Sequence, residues 1–388
     1  MSSYISVSRS IRVSPSKVRW TQAIPRASYS PYMYMQRQIR SLHQSRGNGY
    51  AQVVNHHVIR FVDGQPVSQE AVPAAEQQQK PGVGVTPMFI PTVKGFTLQQ
   101  ALDKVASWRQ RYIEDRYIFV PGAEMIQILE GLGGKQEDLP FIHTVGDRLT
   151  SDPTLEYRKT KQGRYSIDWE TNKIKRLEFQ PFLLSVDEDF NRFDSDRYRH
   201  FEENSDNDQA NTMFRALMVF KSLVIKGVKV VKRPFFDYSK NSEVLTFFQV
   251  RTTTNKDMLG EPALEGVHTD GVDHTLTTLT DMKNMRDDSA ITYMHQLNEK
   301  TGTHINEADP NLVRGAVQHT RFMDTLILCD GESKHSLSSI WQADTTKEAS
   351  RDMFILFTRK PVVPGHVSSH VDSLTPHTEK VMELDLPA

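Results

Sequence analysis

The stretch Glu265-Gly266-Val267-His268-Thr269-Asp270-Gly271 places an imidazole and a carboxylate two residues apart. A further histidine, His335, and an arginine, Arg351, follow downstream. Two imidazoles and one carboxylate make up the facial ligand set of a ferrous ion that activates oxygen. Such a set leaves the opposite face free, with room for a chelating 2-oxo acid and for oxygen. On an extended strand, residues i and i+2 share a face, so His268 and Asp270 can address one metal while Thr269 turns away. Gly271 lets the backbone bend directly after the carboxylate. His335 would arrive from a later strand. His319 and His295 compete for that role, but a strand precedes His335 and the arginine follows it. Arg351 opens an apolar strand, where a buried guanidinium demands a matching anion; a dicarboxylate supplies one bidentately.

A ligand set of this kind needs strands to hold it. From Val244 onward, Val244–Thr253, Thr275–Leu279, Ala290–Leu297, Thr325–Leu328, Leu337–Trp341 and Met353–Thr358 are short and rich in β-branched and aromatic residues. Polar turns separate them, which predicts a sandwich or jelly roll. Upstream, Thr97 caps a helix with Gln100 placed to reach back. Leu98, Leu102, Val105, Trp108 and Tyr112 then give it one apolar face. Tyr117–Val120 reads as a strand. Ala123–Leu132 reads as a second helix, closed by Gly133-Gly134. A third starts near Asp208, runs through Met213, Phe214, Leu217, Phe220, Leu223 and Val224, and ends at Gly227. The fold class is therefore α+β: a double-stranded β-helix (jelly-roll or cupin-like) core, with supporting helices mainly from the N-terminal half.

With 388 residues the chain can bury a large core. Its net charge of −1 provides no global field for nucleic acid or an acidic membrane. The single cysteine, Cys329, excludes an intrachain disulfide framework. No apolar run approaches the roughly 18 residues of a membrane helix, so a cytoplasmic protein is expected. No Asp or Glu precedes Asp63, whereas Arg9, Arg12, Lys17, Arg19, Arg26, Arg37, Arg40, Arg46 and Arg60 are all present. That composition raises mitochondrial targeting as an alternative. Against it, Ile5, Val7, Ile11 and Val13 follow a period-two pattern and not an amphipathic helix. Pro73 to Gly82 is the best linker candidate. The expected layout is a basic, partly ordered N-terminal extension and linker over 1–94, helical support over 95–243, a jelly-roll core over 244–360, and a C-terminal tail over 361–388.

The run from Glu265 to Gly271 resembles the "E-G-x-H-x-D-G" motif of the bacterial free-amino-acid dioxygenases of the isoleucine 4-hydroxylase type. Phe322-Met323-Asp324-Thr325-Leu326-Ile327-Leu328-Cys329-Asp330, followed by His335, resembles that family's "G-D-T-L-L-L-D-D…H" strand. Arg351-Asp352-Met353-Phe354-Ile355-Leu356-Phe357 resembles its "R-D-V-L-V-V-T-F" strand. The likeness covers residues 244–360 well and the helical half only loosely. It departs at Asn284-Met285-Arg286-Asp287-Asp288, where the family has a Gly-Gly pair, and at Met323, where it has Gly.

The resemblance implies an Fe(II)/2-oxoglutarate-dependent oxygenase that consumes O2, with His268, Asp270 and His335 as iron ligands. Arg351 would hold the distal carboxylate of 2-oxoglutarate. It also implies a free, aliphatic L-amino acid as substrate, oxidised by hydroxylation, desaturation or ring closure. Gln249 and Arg251 alternate on one strand face and could read a substrate carboxylate; a solvated sheet face is the plain alternative. Glu265 could meet an ammonium group or cap a turn. His274 and Asp273 read as half-buried residues, and Phe235-Phe236 and Phe247-Phe248 as core. Two other readings stay open: a cupin-like module that binds metal or a small acid without turnover, and an oxygenase acting on a peptide or protein. The sequence carries no sign of oligomeric state.

Overall fold

In chain order the strands are β1 (Tyr50–Val54), β2 (His57–Val62), β3 (Gln65–Glu70), β4 (Tyr117–Val120), β5 (Arg158–Asp168), β6 (Lys173–Arg176), β7 (Glu202–Glu203), β8 (Ser242–Thr254), β9 (His274–Lys283), β10 (Thr292–His295), β11 (Val313–Val317), β12 (Thr325–Cys329), β13 (Lys334–Leu337), β14 (Ala349–Arg359) and β15 (Glu383–Asp385). They come from a computed structural model that describes residues 50–54, 57–62, 65–70, 88–188, 192 and 194–387. The Ile5–Val13 alternation, the candidate targeting segment up to residue 49 and the Pro73–Gly82 linker lie outside the described residues, while the end of that segment forms β1 and part of β2. Among the described residues, one sheet has nine strands in the order β15-β6-β5-β8-β14-β9-β12-β4, with β7 beside β5. The other has six, in the order β13-β10-β11-β1-β2-β3.

Strand parity divides the large sheet into two working faces, because alternate side chains point to opposite sides. On β8, Leu245 and Phe247 join the main core, while Phe248, Val250 and Thr252 line a cavity. On β14, Phe354 and Leu356 go to the core, and Arg351, Met353, Ile355 and Phe357 to the cavity. On β9 and β12 the same division sends Leu276 and Ile327 one way, and Thr275, Thr277, Leu326 and Leu328 the other.

Helices α1 (Leu98–Asp115), α2 (Gly122–Gly131) and α3 (Thr212–Ile225) cover the core face. Thr97 and Gln100 form the expected capping box, with Gln100 N–H to Thr97 Oγ1 at 3.3 Å and Thr97 N–H to Gln100 Oε1 at 2.9 Å. Ala101, Val105, Trp108 and Tyr112 are the buried stripe of α1. Phe214 of α3 stacks on Phe247 with ring centroids 4.2 Å apart. That contact locks the helical layer to β8, since large aromatic side chains dominate core burial.

The structure departs from the sequence expectations in several places; strands β1–β3 and β15, from the expected extension and tail, and the unexpected β11 join the sheets. The third helix begins at Thr212, where Asn211 caps it, and a separate short turn of helix spans Asp206–Ala210. The predicted Leu337–Trp341 strand lies earlier, as β13, which contains His335, and β12 precedes it as expected. The largest difference is β5, an 11-residue strand inside the stretch expected to be helical support; it pairs with β8 from Arg158↔Thr252 to Asp168↔Ser242.

Candidate active site

His268 and His335 face each other across a short antiparallel bridge. His268 N–H donates to His335 O at 3.0 Å, and His335 N–H donates to His268 O at 2.8 Å. Directly opposed residues project to the same side, and the two imidazole centroids stand 4.4 Å apart. Glycines bracket the turn. Gly266 has φ +77°, and a Cβ there would lie 2.6 Å from Thr303 O. Gly271 has φ +71°, and a Cβ there would lie 2.9 Å from Glu188 Cβ. A side chain is excluded at both on steric and conformational grounds.

Among the described residues, His268, Asp270 and His335 form a buried group whose potential ligand atoms lie within 4.8 Å of one another. Asp270 Oδ1 is 3.5 Å from His268 Nε2 and 3.6 Å from His335 Nε2. His268 Nδ1 bonds Gly266 O at 2.8 Å, which turns Nε2 toward the carboxylate. Thr275 Oγ1 donates to Asp270 Oδ2 at 2.6 Å and leaves Oδ1 for the shared point. Burial pushes the His268 imidazolium down, but Glu265 and then Asp270 outweigh it and raise the group to about 10. Burial pushes His335 down to about 4, leaving its ring neutral with a lone pair to donate. A neutral imidazole beside two anionic carboxylates is an environment that favours a cation.

Asp330, at the end of β12, supports this group. Its Oδ1 accepts Asp270 N–H at 2.8 Å, and its Oδ2 accepts Val272 N–H at 3.3 Å. Arg233 Nη2 donates to Oδ2 at 2.7 Å. The same Oδ1 lies 3.8 Å from His335 Nδ1.

Arg351 lines the cavity from β14 and is 5% exposed. Burial pushes its guanidinium down to about 10. Its contact with His319 Nδ1 is 3.5 Å, and its Nε is buried with no hydrogen-bond partner. A desolvated guanidinium of this kind fits an arriving carboxylate. The cavity, about 140 Å³, holds all three ligand candidates, Arg351 and Glu265, with Phe248, Val250, Ile355 and Phe357 as apolar wall. Two buried imidazoles, a carboxylate and a desolvated guanidinium in one cavity fit a ferrous ion and a dicarboxylate.

Not every expected site residue reaches the cavity. Gln249 and Arg251 fall on the core-facing parity of β8, and neither lines it. Arg251 Nε and Nη2 donate to Asp352 at 2.7 Å each, and Nη1 donates to Asp147 at 2.8 Å. That is a structural ion pair between directly opposed residues of β8 and β14; the expectation that these two residues read the substrate is corrected by strand parity. Glu265 does line the cavity; its Oε1 is 3.3 Å from His268 Nε2 and its Oε2 is buried without a partner. His319 sits behind Arg351. His295 bonds Ser336 Oγ at 2.8 Å and does not enter the ligand group. His274 is fully buried against Tyr112 Oη at 2.7 Å. Three residues gave no signal in advance: Asp330, Arg158 and Arg199. The first was embedded in a matched strand; the other two lie in segments with no periodicity to place them.

The chain is similar to known proteins along most of its described length. The profile of the family described as 2OG-Fe dioxygenase matches residues 143–357. The solved structure of TqaL, an Fe(II)/α-ketoglutarate-dependent dioxygenase, is 43% identical, with a TM-score of 0.64 over 74% of this chain and 96% of that one. The bifunctional enzyme flvA of Aspergillus flavus is 41% identical over 287 residues, 74% of this chain. The match spans only 35% of flvA's own length. A bsmA homolog from Methylobium petroleophilum shares the fold at 16% identity, with a TM-score of 0.50 over 70% of this chain and 97% of that one.

Proposed function

The chain belongs to the 2OG-Fe dioxygenase family, and we propose that it oxidises an unactivated C–H bond of a small substrate, a free aliphatic L-amino acid. One observation carries the reading: the His268–Asp270–His335 group and the buried Arg351 share one cavity. His268, Asp270 and His335 would hold Fe(II), and Arg351 would hold the distal carboxylate of 2-oxoglutarate. When bound, iron, 2-oxoglutarate and O2 supply a two-electron oxidation with succinate and carbon dioxide as by-products.

The protein's own contribution is positioning and desolvation. The Gly266 carbonyl fixes the His268 tautomer, and Thr275 restricts Asp270 to one free oxygen. Arg351 orients the co-substrate by its charge. Glu265 offers an ammonium group a buried carboxylate oxygen without a partner. Phe248, Val250, Ile355 and Phe357 would receive an aliphatic side chain and exclude water. Hydroxylation, desaturation and ring closure differ in which substrate atom is held next to the oxidant, so the fit of that wall selects among them.

The test is direct. Protein prepared anaerobically and loaded with iron is given 2-oxoglutarate, oxygen and a panel of L-amino acids beginning with Val, Ile and Leu. Succinate release stimulated by at least one member, with an oxidised amino acid detected by mass, is expected. Stimulation by none would remove the amino-acid assignment.

A further inference from the structure

Among the described residues, no carboxylate pairs with Arg351; its Nε is buried without a hydrogen-bond partner, and burial alone pushes its guanidinium down. The side chain at its back is His319, whose Nδ1 lies 3.5 Å from Arg351 Nη2. On the other side of the ring, His319 Nε2 lies 3.2 Å from Thr277 Oγ1 and 3.3 Å from Thr277 O. A backbone carbonyl only accepts, so Nε2 carries the ring proton and Nδ1 turns a lone pair toward the arginine. Burial, then the charge of Arg351, push the imidazolium down to about 3, so the ring is neutral. His319 is buried, and Phe119 stands edge-on to its ring with centroids 5.4 Å apart. The chain is fixed on both sides of it. Gln318 Nε2 donates to Asp287 O at 2.7 Å and to Ser289 O at 2.9 Å. Thr320 and Arg321 N–H donate to Asp324 Oδ2 at 2.9 and 2.8 Å, and Asp324 Oδ1 accepts Gly122 N–H at 2.8 Å.

We propose that His319 is a positioning residue for the co-substrate: its Nδ1 braces Arg351 from behind, so that the guanidinium meets the distal carboxylate of 2-oxoglutarate already oriented. The inference rests on Arg351 taking that carboxylate, as in the reading above, and is independent of the amino-acid substrate. His319 does not line the cavity, so it acts through Arg351 and not by touching the ligand. A carboxylate at this place would brace the arginine as well, but it would compete with the ligand for the positive charge. A neutral acceptor orients the planar fork and leaves the whole charge to the incoming anion. The pinned turn serves the same end, because a group ordered before binding loses less freedom when the ligand arrives.

The experiment is calorimetry on protein loaded with Mn(II) in the absence of oxygen. The ligands are 2-oxoglutarate and 2-oxovalerate, which keeps the chelating end and lacks the distal carboxylate. The proteins are wild type, His319→Gln, His319→Asn and Arg351→Gln. Glutamine reaches the place of Nε2 and can keep the Thr277 contact, but it leaves no acceptor where Nδ1 was. Asparagine puts an oxygen near Nδ1 and gives up Thr277. Losing the brace should weaken 2-oxoglutarate roughly 3- to 10-fold in His319→Gln, with His319→Asn close to wild type. 2-Oxovalerate should bind wild type and both His319 variants alike. Equal losses for the two ligands, or a larger loss in His319→Asn than in His319→Gln, would show a merely structural histidine and overturn the proposal. Unchanged 2-oxoglutarate affinity in His319→Gln, with a loss in Arg351→Gln, would overturn it and leave the role of Arg351 standing. Unchanged affinity in Arg351→Gln would remove the co-substrate reading of Arg351 and the proposal with it. A melting curve for each variant shows that it is folded.

Discussion

Replacing Asp330 with asparagine takes a carboxylate from beside two candidate metal ligands at once, the backbone of Asp270 and the ring of His335. Asp330 is 0% exposed, so solvent cannot compensate. One oxygen holds the Asp270 N–H at 2.8 Å and faces His335 Nδ1 at 3.8 Å, and the other holds Arg233 at 2.7 Å. His335 Nδ1 is buried and has no hydrogen-bond partner. A ring that donates Nε2 to a metal carries its proton on Nδ1, and the nearby carboxylate is the acceptor for it. The substituted amide would retain one acceptor oxygen but turn an NH2 toward Arg233 and Val272 or toward His335, so donors would face donors. A hydrogen bond to a charged group is worth about 1.5–3 kcal/mol, or roughly 10- to 100-fold in affinity, the usual range for a carboxylate supporting a metal-bound histidine. The assay is an anaerobic Co(II) titration of wild type and Asp330→Asn, with the melting temperature of each metal-free protein recorded alongside. The expected result is a Kd for metal raised about 10- to 100-fold, beyond any loss of metal-free stability. An unchanged Kd with a lowered melting temperature would show that Asp330 serves only the backbone.

Three further outcomes follow from the packing. Arg251→Ala strands Asp352, whose side chain is 1% exposed, and should destabilise the fold by about 3–5 kcal/mol. Urea unfolding should show that loss while KM for the amino acid stays unchanged, and a raised KM would return Arg251 to the substrate. Asp372 lies between Arg164 at 2.9 Å and Arg359 at 3.0 Å. Burial pushes its carboxyl up, but the two guanidiniums outweigh burial and hold it low. Two cations share one anion here, so burial still pushes Arg164 down while Asp372 gains. The depressed group stabilises the fold above the ordinary carboxylate value of about 3.9 and loses that contribution as pH falls. Asp372→Asn should therefore lose about 3–5 kcal/mol at neutral pH, with the gap to wild type closing below about pH 4; a constant gap would contradict the linkage. Met323 has φ +67° and is fully buried. Glycine there relieves about 1–2 kcal/mol of left-handed strain, yet losing a buried Met side chain costs about 2–5 kcal/mol. Met323→Gly should be net destabilised in thermal melts, and a rise in melting temperature would reverse that ranking.

How far the sequence reveals this molecule depends on locality. Thr97, Gln100 and the α1 stripe are readable because a helix start is set within one turn. His268, Asp270 and the two glycines are readable because their roles are confined to one short stretch. Gln249 and Arg251 fail for a physical reason. β8 is covered by helices on one side and lines a cavity on the other, so apolar residues occupy both parities. Alternation then separates two faces without telling which is inward. β5 escapes notice because Lys161, Gln162 and Arg164 interrupt any apolar pattern; the strand is held by full-length pairing with β8, a long-range fact. Arg199 depends on a bridge to Phe182, and Asp330 on amides of a loop far behind it in the chain. Neither relation has a local trace.

The most direct test is a crystal structure of the protein grown anaerobically with Mn(II) and 2-oxoglutarate. The account predicts one metal bonded to Nε2 of His268, Nε2 of His335 and one oxygen of Asp270 at roughly 2.0–2.3 Å, with the far carboxylate of the co-substrate on Arg351. A metal bound elsewhere, or a co-substrate that leaves Arg351 without a carboxylate, would contradict it.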